Sequence, residues 1–548
     1  MNLKIVQISN AEKIRSLADM DKRRVYRQEL LLKEQFAYQL ALYCENACTL
    51  KVSLDTPLKG QVKLYVHKNA IMDYPGKVAW DDDYITNEPG LMPDLLVPLE
   101  DQNGMVEMNG TAATVWVEVM LSEDCAPGTY PITVTFSNEG LFENGERCVV
   151  SETMQIAALP VALKEQETIF TQWFHVDCIA RVHNVPIYSE EHWSLIDRYM
   201  KLAVELGINM ILTPIITPPL DVNPGVCRPC TQLIQITKEG SQYSFNFDLL
   251  KRWIDLCKKN GVKYYEMAHL FSQWGLFYSS NIQVTENGVT EYKFGWNVPA
   301  REESYRDFLT QFLPELIAFL KQEGIKEKTY FHLSDEPWQE HMENYRYAHD
   351  LVKPLIDGCT IMDAISDIDF YQSGLVECPV TASDAMEPFL KEKIDNQWAY
   401  YCCVQGAYVG NRFLSMPTYR NRILGLQIYK YGLKGFLHWG YNFYYTQRSL
   451  YEINPYVTTS ADMSFPSGDA FTVYPSKDGA YSSSRGKIFK EALQDIEICR
   501  MLEQKIGKEK VVELMEKEAG MEITFSYYPR NTEFIPGLMN KMRAMLKE

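Results

Sequence analysis

Two neighbouring carboxylates near the middle of the chain are the residues whose types and spacing best suit chemistry. Asp335 and Glu336 follow a run of aromatic and β-branched residues at positions 326–333, which is typical of a strand. Pro337 cannot donate a ladder hydrogen bond, so the strand is expected to end beside the two acids. One carboxyl group can then act as a general acid while the other stabilises charge. The structural alternative is an acidic first turn of the helix that follows.

A change of sequence pattern indicates which elements position this pair. After residue 162, short apolar runs alternate with amphipathic segments of helix length, which is typical of parallel βα units in an α/β fold. Eight strands are expected, near residues 168–175, 209–214, 264–270, 326–333, 360–365, 378–383, 398–403 and 435–441. This count predicts a (β/α)₈ catalytic domain of the TIM-barrel type over residues 163–510, with the acid pair at its mouth after the fourth strand.

The segments on either side of this domain have their own patterns. Residues 1–162 alternate apolar and polar positions and contain tight-turn signals such as Asn103-Gly104, which predicts an antiparallel β-sandwich accessory domain. We find no catalytic constellation in it. Residues 440–480, rich in Tyr, Asn, Pro, Ser and Gly, are predicted to form a long exposed loop over the barrel mouth, and residues 511–548 to form C-terminal helices packed on the barrel.

Length and charge restrict the class of protein. A chain of 548 residues needs two or three domains, and 46% apolar residues exclude a disordered protein. The net charge of -18 repels phosphate backbones and anionic lipid, so we expect no nucleic-acid partner. No apolar run of about 18 residues occurs, so we expect no membrane insertion. The first nine residues have no apolar signal core, which indicates a cytoplasmic protein, although a removed export signal leaves secretion open.

Cysteine and histidine spacing predicts no metal site. The 13 cysteines include one CxxC motif, Cys227 and Cys230, without the second pair that a zinc site needs. The nine histidines show no HxH or HExxH spacing. We therefore expect neither a metal nor another cofactor, and reduced thiols fit a cytosolic location. A metal hydrolase is the less favoured alternative.

Polar and aromatic side chains collect at the carboxyl ends of the predicted strands, where a barrel places its active site. Aromatic residues make up 12% of the chain, and rings at such positions can stack on sugar rings. Taken singly, each has a structural alternative, because a histidine can be a satisfied core residue and a tryptophan can be plain packing. Together they are the predicted substrate-binding residues Trp173, His175, His269, Gln273, Trp274, Tyr400, Trp439, Tyr441 and Asn442.

A missing carboxylate indicates which kind of sugar chemistry the pair could perform. Glycoside hydrolysis needs an acid and a group that stabilises or attacks the anomeric carbon, and in the commonest retaining barrels a nucleophilic carboxylate follows the seventh strand. No Asp or Glu occurs from residue 396 to residue 451. The acetamido group of an N-acetylated sugar can attack instead and form an oxazolinium intermediate, while Asp335 orients its N–H and Glu336 acts as the acid.

These roles require both carboxyl groups to face one site. Adjacent residues on a regular strand point to opposite faces, so the strand end must be irregular, which Pro337 favours. Close carboxyl groups raise the pKa of one of them, which would help to keep Glu336 protonated near neutral pH. If the protein itself supplies a nucleophile, the alternatives are Glu266, Asp363 and Asp384.

Four stretches of the sequence resemble glycoside hydrolase family 123, retaining β-N-acetylgalactosaminidases with an amino-terminal β-sandwich and a (β/α)₈ domain. They are residues 173–178 (WFHVDC), 269–275 (HLFSQWG), 332–337 (HLSDEP) and 435–442 (GFLHWGYN). The resemblance implies exo-acting hydrolysis of terminal β-linked GalNAc in glycans or glycolipids. It also implies that Asp335 orients the acetamido group and that Glu336 acts as acid and then as base. Residues 228–232 look similar to the family too and are expected to border the site.

Two other functions stay open at this point. One is the same chemistry on β-GlcNAc, because the two sugars differ only at C4 and no residue that reads the C4 hydroxyl can be identified from the sequence. The other is a non-catalytic glycan-binding protein that kept its aromatic residues, and the intact acid pair argues against it. The sequence gives no indication of an oligomeric state.

Overall fold

The computed structural model describes residues 3–22, 24–76, 81, 83–138 and 148–547. Within these residues, antiparallel sheets at the amino terminus precede a closed barrel of eight parallel strands, which confirms the predicted fold class. The barrel strands follow chain order around the ring, and the first pairs with the eighth to close it. They are Ile169–Gln172, Met210–Thr213, Tyr264–Met267, Thr329–Phe331, Thr360–Ile365, Cys378–Ala382, Trp398–Tyr400 and Gly435–His438.

The barrel strands are apolar because helices cover their outer faces and side chains fill the interior. Most residues of these strands are buried. The seventh and eighth strands approach closely where Gly435 lies against the indole of Trp398, since a Cβ at Gly435 would come within 2.4 Å of that ring. Most of the strands are shorter than the predicted runs because the chain turns away at their carboxyl ends into the loops that form the site.

Amphipathic helices surround the barrel. Ser189 caps the helix Glu190–Glu205 by accepting a hydrogen bond from the backbone N–H of His192. Gly261, in the left-handed conformation, ends the helix Asp248–Asn260. The other helices between the strands are Val176–Val182, Glu303–Gln322, Met342–Val352, Asp369–Gln372, Met386–Glu392 and Tyr419–Tyr431. Those after the last barrel strand are Ser484–Ile506, Lys508–Ala519 and Phe534–Lys547.

Two sheets form the β-sandwich. The strands of the seven-stranded sheet are, in spatial order, Leu3–Ser9, Gln35–Cys44, Ala113–Met120, Val62–Met72, Gly90–Pro98, Gly479–Ser483 and Val473–Ser476. The strands of the five-stranded sheet are Arg27–Leu32, Val149–Ala162, Gly128–Ser137, Cys48–Asp55 and Met105–Met108. Side chains from both sheets, including Leu40, Val117 and Ile132, form one hydrophobic core.

The last two strands of the seven-stranded sheet come from beyond the barrel strands. Where the sequence predicts an exposed loop over residues 440–480, many side chains are buried. The segment leads into a hairpin of Val473–Ser476 and Gly479–Ser483, which pairs with Gly90–Pro98. The difference arises because this strand partner lies far away in the sequence and leaves no local pattern.

Buried ion pairs reinforce the contact between sandwich and barrel. Asp94 pairs with Arg485 and Glu118 pairs with Lys487, each with an N···O distance of 2.9 Å. A separate four-stranded sheet lies in the loops after the second and third barrel strands and contains Gln242–Asn246, Gln235–Glu239, Ile282–Glu286 and Val289–Phe294. Across the described ranges, no helix is long and apolar enough to cross a membrane.

Candidate active site

A cavity of about 220 Å³ opens at the carboxyl ends of the barrel strands, and both Asp335 and Glu336 line it. Its wall is mostly aromatic and apolar with a few polar groups, which suits a sugar ring. A larger cavity of about 370 Å³ lies between sandwich and barrel, but its charged groups include Glu118 and Lys487, which pair with each other. We therefore place the candidate site in the smaller cavity. Six of the predicted binding residues line it: Trp173, His175, Gln273, Trp274, Tyr400 and Trp439.

The backbone at the acid pair departs from a regular strand. The fourth strand ends at Phe331, and Glu336 has a φ of +45°. This left-handed conformation costs a non-glycine residue about 1 to 3 kcal/mol, and such strain concentrates at functional sites. The alternation of a strand does not apply here, so the two adjacent carboxyl groups can face the same cavity.

Side chains from a loop and from a neighbouring strand end donate hydrogen bonds to the pair. Gln273 Nε2 donates to Asp335 Oδ2 at 2.7 Å, and the Tyr400 hydroxyl donates to Glu336 Oε1 at 2.7 Å. The Trp274 side chain also hydrogen-bonds to Glu336, and its backbone N–H donates to the carbonyl oxygen of Asp335 at 3.1 Å. The loop after the third strand and the end of the seventh strand thereby fix the orientation of both acids.

Burial raises the pKa of both carboxyl groups. For Asp335, the negative charge of Glu336 adds to the burial, and the pKa lies well above its usual range. For Glu336, burial raises the pKa while the donors Tyr400 and Trp274 oppose the rise. The pair therefore holds one shared proton more tightly than two free carboxylates would.

A buried histidine lies directly behind the pair. His332 donates through Nε2 to Glu266 at 2.6 Å and through Nδ1 to Asp363 at 2.8 Å, and all three side chains are fully buried. Burial by itself lowers the pKa of His332, but the two carboxylates outweigh it and raise the pKa to about 10. The two carboxyl groups thus favour the protonated form of His332. Because Glu266 and Asp363 are engaged in this way, neither is free to attack a sugar.

Asp363 also fixes the segment that leads to the acid pair. Its Oδ2 accepts hydrogen bonds from the backbone N–H of Leu333 at 3.2 Å and of Ser334 at 3.4 Å. It accepts a third from the hydroxyl of Tyr345. The fifth strand thereby holds the chain in the turn that brings Asp335 to the cavity.

His175 lines the cavity as a neutral ring. Its Nε2 donates to the backbone oxygen of Trp439 at 3.0 Å, and its Nδ1 accepts from Arg228 at 3.2 Å. Burial, and then the charge of Arg228, lower the pKa of His175 to about 3. Arg228 is held by two hydrogen bonds to the Asp177 carboxylate, at 2.5 and 2.9 Å. The Arg228 side chain therefore lies one layer behind the cavity wall.

The other three predicted binding residues lie behind the wall rather than in it. The Asn442 side chain accepts from the backbone N–H of His175 at 2.8 Å and donates to its carbonyl at 3.0 Å. Tyr441 is fully buried and donates to a backbone carbonyl on a covering helix at 2.9 Å. His269 is fully buried, and its ring stacks on His332 with 4.1 Å between centroids. All three side chains point away from the cavity, and their contacts support the residues that form its wall.

One group of side chains in the described residues has the compactness of a metal site. Ligand atoms of His269, His332 and Asp363 lie within 4.8 Å of one another. Both nitrogens of His332 already donate to carboxylates, at 2.6 and 2.8 Å. A metal here would have to displace a charged hydrogen bond, so the group fits a structural network better than a metal centre.

Several cavity residues come from loops to which the sequence analysis assigns no role. Asp221 belongs to the long insertion after the second strand, Cys402 and Cys403 follow the seventh strand, and Gln447 and Phe465 lie beyond the eighth. Loop residues follow no period, so burial and direction cannot be read from their spacing. The one available signal is that Asp221 is a carboxylate in an insertion at the carboxyl end of a barrel strand.

A carboxylate beyond residue 451 also supports the wall. Asp469 Oδ2 accepts from the indole N–H of Trp439 at 3.0 Å, and Oδ1 accepts from His438 at 3.2 Å. Burial raises the pKa of Asp469 to about 7. Asp469 therefore positions Trp439 and is occupied by these two donors.

An aromatic cavity around an acid pair, at the mouth of a closed eight-stranded barrel, defines the site of a barrel glycoside hydrolase. The family model described as glycoside hydrolase 123, catalytic domain, matches residues 173–502. The chain therefore belongs to glycoside hydrolase family 123.

A solved structure from the same family agrees on the fold. A family 123 glycoside hydrolase from Clostridium perfringens, described in a study of glycolipid glycan hydrolysis, matches with a TM-score of 0.74 and 15% identity over 100% of this chain and 98% of that chain. A family 5 xyloglucanase from Bacteroides ovatus matches with a TM-score of 0.33 and 7% identity over 90% of this chain and 100% of that chain. A comparison with curated protein sequences gives no match.

Proposed function

We propose that this protein is an exo-acting, retaining β-N-acetylgalactosaminidase that removes terminal β-linked GalNAc from glycans or glycolipids. The observation that carries the proposal is the adjacent pair Asp335 and Glu336 in the cavity, together with seventh- and eighth-strand ends that contain no carboxylate. A substrate that brings its own nucleophile fits this arrangement. The family 123 hydrolase from Clostridium perfringens supports glycolipid glycans as a substrate class.

The size of the cavity supports exo action. At about 220 Å³ it is smaller than the roughly 300 to 1,000 Å³ of pockets that enclose drug-sized ligands. One sugar ring fits such a space better than an oligosaccharide chain does. The terminal sugar therefore occupies the cavity, and the rest of the glycan extends into solvent.

The reaction proceeds in two steps. First, the acetamido carbonyl oxygen attacks the anomeric carbon as the glycosidic bond breaks, and Glu336 donates its proton to the departing oxygen. Asp335 accepts a hydrogen bond from the acetamido N–H and stabilises the positive charge of the oxazolinium. Then Glu336 takes a proton from water as that water attacks the anomeric carbon, which releases the sugar with retained configuration and restores the acid.

Substrate binding sets the protonation state that these steps need. Burial raises the pKa of both carboxyl groups, and for Asp335 the charge of Glu336 adds to the rise, so the pair shares one proton. The acetamido N–H adds a second donor to Asp335 beside Gln273, which favours the Asp335 anion. The proton then resides on Glu336, where the leaving oxygen requires it.

Substitution of the acid pair tests the mechanism. Glu336→Gln is expected to abolish turnover of natural glycans because it removes the transferable proton. Asp335→Asn is expected to lose about 3 kcal/mol of transition-state stabilisation, or about a hundredfold in rate. Steady-state kinetics on an aryl β-GalNAc and on a glycan measure both effects, with circular dichroism to show that the variants fold.

The matched control is Asp384→Asn. Asp384 is exposed, does not line the cavity and accepts a hydrogen bond from Gln405 at 3.0 Å, so it is not placed to attack a sugar and this variant is expected to keep most of the activity. Wild-type rates in both acid-pair variants would contradict the mechanism. Absence of inhibition by a thiazoline that mimics the oxazolinium would point to a nucleophile on the protein.

A comparison of two substrates tests the proposed sugar specificity. We expect a higher kcat/KM for aryl β-GalNAc than for aryl β-GlcNAc. A higher value for the GlcNAc compound would replace the proposed specificity but keep the mechanism. Binding of both sugars without turnover of either would indicate a glycan-binding protein instead.

A further inference from the structure

A third carboxylate faces the cavity and takes no part in the steps above. Asp221 lies in the long loop after the second barrel strand, is 9% exposed and lines the same cavity as Asp335 and Glu336. Its Oδ2 accepts the backbone N–H of Arg448 at 2.8 Å. Among the described residues, no donor reaches the other oxygen, Oδ1. Asp221 thus presents one open acceptor to whatever fills the cavity.

The position of Asp221 is held by several contacts at once. The Ser449 hydroxyl donates to its backbone oxygen at 2.7 Å, and its own N–H donates to the side-chain oxygen of Gln273. The φ angles of Asp221, Arg448 and Ser449 are +47°, +63° and +52°, a conformation that is unfavourable for residues other than glycine. Three strained residues that bind one another keep this carboxylate in place.

Gln273 connects Asp221 to the acid pair. The oxygen of the Gln273 amide accepts from the backbone of Asp221, and its nitrogen donates to Asp335 Oδ2 at 2.7 Å. Asp221 is therefore one side chain away from the catalytic carboxylates, along a continuous wall. A ligand that contacts Asp335 with its acetamido group brings its ring hydroxyls near the same wall.

An open carboxylate oxygen on the wall of the cavity selects for a hydrogen-bond donor. A substrate that fills the cavity displaces water from this oxygen, which is unfavourable unless the substrate supplies a donor, and a carboxylate accepts hydrogen bonds more strongly than a neutral oxygen does. The donors that a neutral sugar offers away from its acetamido group are its hydroxyls.

We infer that Asp221 is a substrate-recognition residue whose free carboxylate oxygen accepts a hydrogen bond from a hydroxyl of the terminal sugar. The inference rests on the proposed function, because it takes that sugar to be an N-acetylhexosamine. Asp221 orients the ring against the acid pair and rejects sugars that lack the hydroxyl. It transfers no proton and forms no bond to the anomeric carbon.

Two substitutions at Asp221 separate recognition from folding. Asp221→Gly removes the carboxylate and suits the positive φ. Asp221→Asn tolerates the same φ and keeps an oxygen for Arg448, but it replaces the open oxygen with an amide N–H. Asp384→Asn is the matched control, since it also neutralises a carboxylate, but at an exposed position that does not line the cavity.

The experiment is a double-mutant cycle between protein and sugar. The kcat/KM of each protein is measured on aryl β-GalNAc and on its 3-, 4- and 6-deoxy analogues. With the parent sugar, Asp221→Gly is expected to lose at least about tenfold in kcat/KM. With the analogue that lacks the recognised hydroxyl, the same substitution is expected to cost little, because the interaction is already absent. The control variant is expected to follow the wild-type pattern.

The outcomes distinguish this inference from the proposed function. Suppose that the wild type is active and that, for all three analogues, the fold-loss in kcat/KM from deoxygenation and the fold-loss from Asp221→Gly multiply. The two changes are then independent, and Asp221 does not recognise a hydroxyl. If the wild type hydrolyses neither hexosaminide, the same cycle is measured as the Kd of free GalNAc and its deoxy analogues by calorimetry. A Kd that is unchanged in both Asp221 variants would then overturn the inference. If Asp221→Gly does not fold, Asp221→Asn carries the comparison.

Discussion

Single residues in the cavity control the acid pair through the donors that they offer. Gln273 donates to Asp335, while Tyr400 and Trp274 donate to Glu336. Each donor stabilises the anion and opposes the rise in pKa that burial causes. A change in one donor therefore moves the proton within the pair, which is why a substrate N–H at Asp335 can prepare Glu336 as the acid.

Tyr400→Phe is expected to raise the pKa of Glu336, because it removes a donor to the carboxylate. Activity needs protonated Glu336 and is lost as pH rises through its pKa, so the alkaline limb of the pH profile should move to higher pH. The measurement is kcat/KM against pH on an aryl β-GalNAc.

Tyr401→Phe is the matched control for this prediction. The neighbouring hydroxyl is also buried, but it bonds to Asn421 at 3.1 Å rather than to the acid pair. Its removal should leave the alkaline limb in place. An unmoved limb in Tyr400→Phe, or an equal shift in both variants, would contradict the argument.

The strands and helices of the barrel can be predicted from the sequence for a physical reason. Strands buried on both faces leave continuous apolar runs, and covering helices leave a stripe of apolar residues. All eight strands lie where the sequence predicts them. The position of Asp335 and Glu336 at the barrel mouth follows from counting strands.

The parts that sequence did not predict depend on contacts between distant segments. The hairpin Val473–Ser476 and Gly479–Ser483 is stabilised by a partner strand from the sandwich. Asp221 enters the cavity because loops from the second, third and eighth strands bind one another. The sequence predicts that His269, Tyr441 and Asn442 line the cavity, because they lie near the carboxyl ends of strands. That position does not determine which way the side chain points.

A strand glycine tests the packing of the barrel. Gly435→Ala is expected to destabilise the protein by about 1 to 3 kcal/mol, because the new methyl group would overlap the Trp398 ring. Gly90→Ala is the matched control, since Gly90 also begins a strand but has no atom within 4 Å of the added Cβ. Urea unfolding measures both, and equal stabilities would show that the strands can separate to accept the methyl group.

At the scale of the whole molecule, sandwich and barrel form one interlocked unit. Asp94 is fully buried and accepts two hydrogen bonds of 2.9 Å from Arg485, on the helix that follows the hairpin. It also accepts one of 2.6 Å from the Tyr474 hydroxyl, within the hairpin. Contacts of this kind couple the stability of the two parts, so we expect one unfolding transition by calorimetry.

Asp94→Ala tests this coupling. The substitution leaves the Arg485 charge buried without its partner, which is expected to cost about 3 to 5 kcal/mol. Asp357→Ala, which removes an exposed carboxylate paired with Lys321 and Lys326, should cost far less, because solvent screens an exposed ion pair. Urea unfolding measures the loss of stability in both variants. Two separate transitions in the wild type would show that sandwich and barrel unfold independently.

The shared sheet also dictates an order of events on the ribosome. The strand Gly90–Pro98 is synthesised early, but its neighbour Gly479–Ser483 emerges only after all eight barrel strands. Until then, one edge of the nascent sandwich has open N–H and C=O groups that can pair with another chain. Amino-terminal domains commonly fold first during synthesis. Here the part that is made first is completed last, so the growing chain needs protection of that edge until the barrel has been translated.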